Sequence, residues 1–158
     1  MHTGKTAAMP WADLGFPDFY RAELAPQVRR AFLMLGDNEQ ANDVVAEAMA
    51  AVYRNWAVVD APGAYLNRAV LNGCRDVGRR RVTKRRLLQR MTPNDTTTAP
   101  SDVLSDVLAA LPFNHRAAVV LRYYAGYTTG EIAEALDCAP GSVGPWIERG
   151  LAAMRKVL

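Results

Sequence analysis

Apolar residues recur every three or four positions along most of this chain, and a single short segment interrupts the pattern. The spacing holds from about residue 28 to residue 77, and after the interruption it resumes at residue 103 and continues to the end. Such spacing places apolar side chains on one face of an α-helix. No segment shows the strict alternation of a half-buried strand. The pattern therefore predicts an all-α fold.

The interruption predicts two helical domains. Residues 92–100 read Thr-Pro-Asn-Asp-Thr-Thr-Thr-Ala-Pro and contain no large apolar side chain. Such a segment cannot bury enough surface to offset the entropy lost on ordering it, so it predicts a flexible linker. We expect an N-terminal tail over residues 1–14, a first domain over 15–91, the linker over 92–101 and a second domain over 102–158.

Helix boundaries can be placed from local signals. In the first domain, one stripe ends at Gly36, the next continues to Trp56, and a third begins after Pro62 and runs on into a basic segment. In the second domain, Ser101 is a predicted helix cap and Pro112 a predicted stop.

A capping box marks the most informative part of the second domain. Thr128 and Glu131 are three residues apart, so the hydroxyl and the carboxylate can each bond the other residue's amide. A short helix, a turn through residues 137–139 and a last helix follow. Because Pro145 is tolerated only in a first turn, we expect that last helix to begin near Ser142 as its cap. Two short helices joined by a tight turn predict a helix-turn-helix.

Charge is distributed unevenly, although the net charge is only +3. Residues 75–90 contain eight Lys or Arg side chains against the single acid Asp76, whereas residues 37–47 contain four acids. This asymmetry suggests one surface for a polyanion and another for a basic partner. Ordinary solvated helix faces also produce charge runs.

No catalytic constellation is evident, so we expect that the protein is not an enzyme. Residues 4–6, Gly-Lys-Thr, resemble the end of a phosphate-binding loop but lack its earlier glycine and preceding strand. Neither His2 nor His115 has a carboxylate or cysteine placed to suggest a triad or a metal site. We predict no cofactor and no metal.

Cysteine usage and hydropathy predict a cytoplasmic protein. Cys74 and Cys138 are lone thiols without metal-ligand spacing, and two reduced residues are favoured over a disulfide. No apolar run approaches the roughly 20 residues that a membrane span needs. The first residues lack the apolar core of a secretion signal.

Several motifs occur together in a recognisable order. They are Gly-Asp at residues 36–37, Ala-Asn-Asp-Val-Val-Ala-Glu-Ala at 41–48, Ala-Tyr-Leu-Asn-Arg-Ala-Val-Leu-Asn at 64–72, Arg-Asp at 75–76, Leu-Pro at 111–112, Leu-Arg-Tyr-Tyr at 121–124 and Glu-Ile-Ala-Glu-Ala-Leu at 131–136. In this order and spacing they resemble the extracytoplasmic-function (group four) sigma factors of bacterial RNA polymerase. Leu-Arg-Tyr-Tyr resembles the actinobacterial sigma-E-like subgroup.

The resemblance implies a function in transcription initiation. Such a protein recruits core RNA polymerase to promoters and assists promoter opening, and it catalyses nothing itself. The implied partners are the clamp and the flap of core polymerase together with promoter DNA, without membrane insertion. An anti-sigma or activator protein is left open. The implied polymerase-binding residues are Asp43, Val44 and Glu47.

DNA contacts are implied on both domains. The implied residues are Trp56, Tyr65, Arg68, Asn72, Arg75, Arg79, Arg80, Arg116, Arg122, Thr128, Ser142, Trp146 and Arg149. Arginines suit phosphates, a sequence-independent contact. The amide of Asn72 suits the edge of an unstacked base. Trp56 can stack on a flipped base, although its place on the apolar stripe favours core packing.

The last helix departs from the family. Relatives usually carry Lys and Arg at the positions of Gly144 and Trp146, and Glu148 adds a charge that DNA repels. We therefore predict weak or altered readout of the distal promoter element. Trp146 would either anchor a partner protein or pack within its own domain or on the DNA backbone.

Two other functions fit parts of the sequence. One is a helix-turn-helix regulator that binds DNA without polymerase. The other is a sigma-like protein that binds polymerase or an anti-sigma factor but has lost promoter readout. The acidic pair Asp43 and Glu47 argues against the first of these.

Overall fold

The computed structural model describes residues 15–91 and 103–157, which form helices and no strand, as the sequence predicts. In chain order the helices are α1 (Phe16–Leu35), α2 (Asn38–Arg54), α3 (Pro62–Met91), α4 (Val103–Ala109), α5 (Phe113–Tyr123), α6 (Thr129–Leu136) and α7 (Pro140–Val157). We call α1–α3 the N-terminal half and α4–α7 the C-terminal half. The predicted tail 1–14, the linker 92–101 and the cap Ser101 lie outside the described residues.

The turn between α1 and α2 takes two residues. Gly36 adopts a left-handed conformation with φ 70°, and its amide donates to the carbonyl of Phe32 at 2.7 Å. The Asp37 carboxylate then accepts from the Gln40 amide at 2.9 Å and caps α2. α1 begins at Phe16, well before the stripe that predicted it, because its first turns also bury aromatic residues.

The N-terminal half packs α1, α2 and α3 against one another. α3 approaches α2 closely at Gly73, where an added Cβ would lie 2.8 Å from Cγ1 of Val44. Leu66, Val70 and Cys74 are buried on the same side of α3. The last part of α3 continues past the core, and residues 82–89 are exposed. A rigid helix thus carries the basic segment into solvent.

The C-terminal half contains the predicted helix-turn-helix. The Thr128 hydroxyl accepts from the Glu131 amide at 3.1 Å, and the Glu131 carboxylate accepts from the Thr128 amide at 2.8 Å, which confirms the capping box. Asp137, with φ 55°, ends α6 in the left-handed region and opens the turn to α7.

The predicted start of α7 is wrong. The helix begins at Pro140, whose ring fixes φ for a first helical position, so Ser142 lies inside the first turn rather than at the cap. Pro145 consequently lies in the second turn, where it has no N–H for the carbonyl of Gly141. Both prolines are exposed, so the irregularity faces solvent.

The two halves share one hydrophobic core. Buried residues from Phe19 in α1 to Ile147 in α7 form a continuous cluster, and α1 packs against both α4 and α5. The division into two domains at the linker stays a prediction. Among the described helices, none combines the length and the apolar character needed to cross a membrane.

Candidate polymerase and nucleic-acid interface

One exposed stripe of α3 carries most of the predicted DNA contacts of the N-terminal half. Tyr65, Arg68, Asn72 and Arg79 are exposed and three, four or seven residues apart, so they lie on one face of the helix. Asp76 lies on the same face, 3.8 Å from Arg79, and this exposed ion pair contributes little to stability. The stripe therefore presents an aromatic ring, a carboxamide and guanidinium groups along one line.

The basic end of this stripe forms a shallow groove. Arg79, Arg80, Thr83, Lys84 and Leu87 line it. Lys84 belongs to the basic segment but was not among the predicted DNA contacts, and its place beside Arg79 and Arg80 adds it to them. Cationic side chains along a groove suit a phosphate backbone.

Trp56 lies in an aromatic cluster where the loop after α2 meets the start of α1. Its ring makes an edge-on contact with Phe16 at 5.5 Å and a tilted contact with Phe19 at 5.3 Å between centroids. Phe16 also contacts Tyr53, whose side chain remains 65% exposed. Trp56 is half-buried, so packing occupies part of its surface. The sequence identified only Trp56 in this cluster, although aromatic residues at 16, 19, 20 and 53 were a visible signal.

The loop that carries Trp56 is tied to the stripe. Asn55 donates from its side chain to the carbonyl of Ala51 at 2.8 Å and to the Tyr65 hydroxyl at 3.2 Å. This connection places the aromatic cluster beside the first residue of the stripe. An unstacked base in this region would meet aromatic and amide groups together.

The predicted polymerase-binding residues divide into two groups. Asp43 and Glu47 are exposed, one turn apart on α2. Val44 lies instead in the core, 9% exposed and packed against Gly73, because the closeness of α2 and α3 requires it there. Val44 therefore supports the acidic face from beneath rather than forming part of its surface.

Arg116 is engaged inside the protein rather than presented to solvent. Its guanidinium donates to the carbonyls of Leu108 at 2.8 Å, Leu111 at 2.7 Å and, across the two halves, Met34 at 2.6 Å. Burial lowers the pKa of this guanidinium, and the nearby charge of Arg81 lowers it further. In this arrangement Arg116 is not available to phosphates, contrary to the predicted role.

Arg122 and Thr128 organise the turn before the helix-turn-helix. Arg122 donates to the carbonyl of Tyr127 at 3.1 Å and to the Thr129 hydroxyl at 2.6 Å. The Thr128 side chain is used in its capping box. Both residues are near the start of α6, so they shape the backbone that would face DNA.

The solvent-facing part of α7 carries few cations. Gly144, Pro145, Glu148 and Arg149 are exposed, and Arg149 is the basic residue among them. An added Cβ at Gly144 would meet nothing within 4 Å. Trp146 is half-buried and packs against the core of its own half. The sparse positive charge predicted from the sequence is therefore also a property of the exposed surface.

The remaining reactive groups show no site chemistry. Burial raises the pKa of the Cys74 thiol to about 12, which keeps it protonated and unreactive. Both cysteines are free thiols. Across residues 15–91 and 103–157, no three His, Cys, Asp or Glu side chains are grouped as metal ligands would be.

Comparison with known proteins agrees with this geometry. Residues 101–154 match the family model "Sigma-70, region 4". The chain is 29% identical to the RNA polymerase sigma-E factor of Streptomyces coelicolor, over 92% of this chain and 86% of that protein. It is 27% identical to the ECF RNA polymerase sigma factor SigL of Mycobacterium tuberculosis, over 82% and 81%.

A solved structure shares the fold. The sigma factor RpoE of Bartonella quintana, determined in complex with the anti-sigma factor NepR, superposes with a TM-score of 0.71 at 16% identity, over 89% of this chain and 94% of that one. The C-terminal match to region 4, the full-length similarity to actinobacterial sigma factors and the shared fold lead to one assignment. This chain is an RNA polymerase sigma factor of the extracytoplasmic-function family.

Proposed function

We propose that this sigma factor binds the melted upstream element of promoters along the exposed stripe of α3. The observation that supports this most strongly is the alignment of Tyr65, Arg68, Asn72 and Arg79 on one face of a single long helix. A rigid helix holds the base-reading amide at a constant distance from the phosphate-binding guanidinium groups. Such a surface suits single-stranded DNA, whose unstacked bases and phosphates are both accessible.

The side chains of the stripe have different tasks. Arg68, Arg79 and Arg80 neutralise phosphates and contribute affinity that is independent of sequence and sensitive to salt. Asn72 offers both a donor and an acceptor to a base edge, so it contributes selectivity. Tyr65 offers a ring for stacking at the other end. Capturing the strand in this way stabilises the open promoter without any covalent step.

The acidic face of α2 is the proposed contact with core polymerase. Asp43 and Glu47 are exposed on a well-packed helix whose opposite side, including Val44, is fixed against α3. A fixed acidic pair favours a basic partner by complementary charge. We assign this face to the polymerase clamp and the C-terminal half to the flap.

The sequence relatives support a more specific placement. The Streptomyces and Mycobacterium sigma factors support an actinobacterial, sigma-E-like subgroup. A protein that works with RNA polymerase acts in the bacterial cytoplasm, and we place this chain there. Because the structural relative was solved with an anti-sigma factor, we also propose that this chain has a regulatory protein partner.

Transcription from a random promoter library tests the proposal. We expect purified core polymerase to initiate at a defined set of promoters only when this protein is added. Selected promoters should share an upstream melted element. Absence of added initiation, with the protein folded and in excess over core enzyme, would refute the function.

A second function is favoured by the surface of α7. Its exposed part carries Glu148 and one arginine, Arg149, so region 4 would read the distal promoter element weakly. In that case selectivity rests on the melted element or on a partner. A regulator that acts without polymerase is distinguished by co-purification, because it would not be retained on core enzyme.

A further inference from the structure

The two halves of the protein are joined by a specific polar and aromatic interface, which we call the seam. Its central residue is Arg116 of α5, which donates to the carbonyl of Met34 at the end of α1 at 2.6 Å. Leu108 and Leu111 supply further carbonyl acceptors from the C-terminal half. Charge-assisted hydrogen bonds at a partly buried position are stronger than neutral ones. Arg116 therefore links the halves directly.

Phe113 extends the seam onto the DNA-binding helix. Its ring lies 5.5 Å from the Arg75 guanidinium, in cation–π geometry. An added Cβ at Gly78 would be 3.9 Å from the same ring, so Phe113 covers α3 where it has little side chain. Arg75 is accordingly half-buried, whereas Arg68, Arg79 and Arg80 are exposed.

Tyr127 forms the third part of the seam. It lies in the loop that precedes α6, and the Arg30 guanidinium of α1 is 5.9 Å from its ring. The Tyr127 hydroxyl also hydrogen-bonds with the side chains of Arg30 and Asn67. Burial raises the pKa of this hydroxyl, so it remains a neutral donor. The turn of the helix-turn-helix is thus held against the N-terminal half.

The seam and promoter DNA require the same side chains. Arg75 and Arg116 were both assigned to phosphates, yet Arg75 is covered by Phe113 and Arg116 is committed to carbonyls. We propose that the seam holds the free sigma factor in a closed state that withholds these arginines from DNA, and that promoter binding opens it. This inference rests on the proposed function. The closed state needs no second protein, because every contact described belongs to the chain itself.

A reversible covalent lock tests the inference. A Cβ built on Gly36 lies 3.2 Å from Oγ of Ser105, near the separation of a Cβ and the partner sulfur in a disulfide. The test variant is Gly36→Cys with Ser105→Cys in a Cys138→Ser background. Cys74 is retained because it is buried. The oxidised protein is freed of oxidant and compared with the same sample after reduction, in transcription with core polymerase.

We expect the oxidised protein to lose transcription by about tenfold or more, because a population locked in the binding-incompetent state contributes nothing. Reduction should restore transcription, since opening is again allowed. Equal activity in the oxidised and reduced forms, with the disulfide verified by mass, would overturn the inference. If the Cys138→Ser parent supports no transcription at all, the proposed function fails instead.

A distance measurement tests the closed state independently of transcription. Dyes at Val58→Cys and Ala152→Cys, both exposed positions, report on the separation of the halves in the Cys138→Ser background. Arg116→Gln should shift the free protein toward longer distances. The matched control is Arg21→Gln, which removes an exposed arginine paired with Asp18 outside the seam. Identical distance distributions for the two variants would contradict the inference, even if the locked variant does not fold.

Discussion

Gly150 permits the close crossing of α5 and α7, and replacing it tests how that crossing is built. A Cβ at this position would lie 2.7 Å from Cγ2 of Val119, well inside van der Waals contact. The carbonyl of His115 and Cδ1 of Leu111, both at 3.6 Å, leave little room for the new atom to move away. Gly150→Ala therefore forces α7 away from α5 or Val119 out of its position.

The magnitude can be isolated with Gly144→Ala as a matched control. Both substitutions add about 1 kcal/mol of helix propensity, but Gly144 faces open space. The difference between their free energies of unfolding therefore reports the steric cost alone, about 1–3 kcal/mol for an overpacked core. Gly144→Ala should raise the free energy of unfolding, and Gly150→Ala should leave it unchanged or lower it.

Urea unfolding followed by circular dichroism measures both variants. A double-mutant cycle with Val119→Ala adds a second test, because removing Cγ2 relieves the clash. We expect a coupling energy of about 1–3 kcal/mol between positions 119 and 150. If Gly150→Ala stabilised the protein as much as Gly144→Ala does, or if the coupling were zero, the packing argument would be refuted.

Two further predictions concern the binding surfaces. Reversing the charges of Asp43 and Glu47 together should weaken binding to core polymerase without changing helicity, because both side chains are exposed; unchanged affinity would remove this interface. Asn72→Ala should relax base preference at one promoter position by about 1–3 kcal/mol, and an equal loss on every promoter would exclude base reading. Arg79→Ala should instead weaken all promoters alike and flatten the salt dependence of binding, which titration in increasing salt measures.

The sequence predicts elements well where the signals are local. The capping box of Thr128 and Glu131 is present with both hydrogen bonds, because its two members are three residues apart. The start of α7 was missed by two residues, since Pro140 and Ser142 are each good helix starters and the choice between them depends on the packing of the turn. Helix propensity alone made Gly150 a weakness, whereas its contact with Val119 makes it a requirement.

Long-range contacts explain why part of the candidate site could not be predicted. Arg116 and Met34 are 82 residues apart, and nothing near Arg116 in the sequence indicates that its donors meet a helix end of the other half. Val44 matched the clamp-binding motif, yet its side chain is fixed by Gly73 on another helix. Exposed residues such as Asn72 and Arg79 could be placed correctly because only their own helix determines which way they face.

The exposed surface of α7 leads to a final prediction, about the distal promoter element. Because the exposed part of α7 carries one arginine and one glutamate, we expect transcription by the natural protein to change little when that element is scrambled. Trp146→Arg would disturb the core against which Trp146 packs, so Gly144→Lys is the cleaner substitution. One added phosphate contact should steepen the dependence of log K on log salt by roughly 0.9.

Gly144→Ala is the control, since it changes the backbone preference of the helix without adding charge. Gly144→Lys should then bind duplex DNA containing the distal element more tightly at low salt, with the gain disappearing as salt rises. Strong dependence of the natural protein on the distal sequence, unimproved by Gly144→Lys, would show that α7 reads DNA through its half-buried tryptophan or its backbone. In that case the scarcity of cations on this helix would reflect a different mode of readout rather than a weak one.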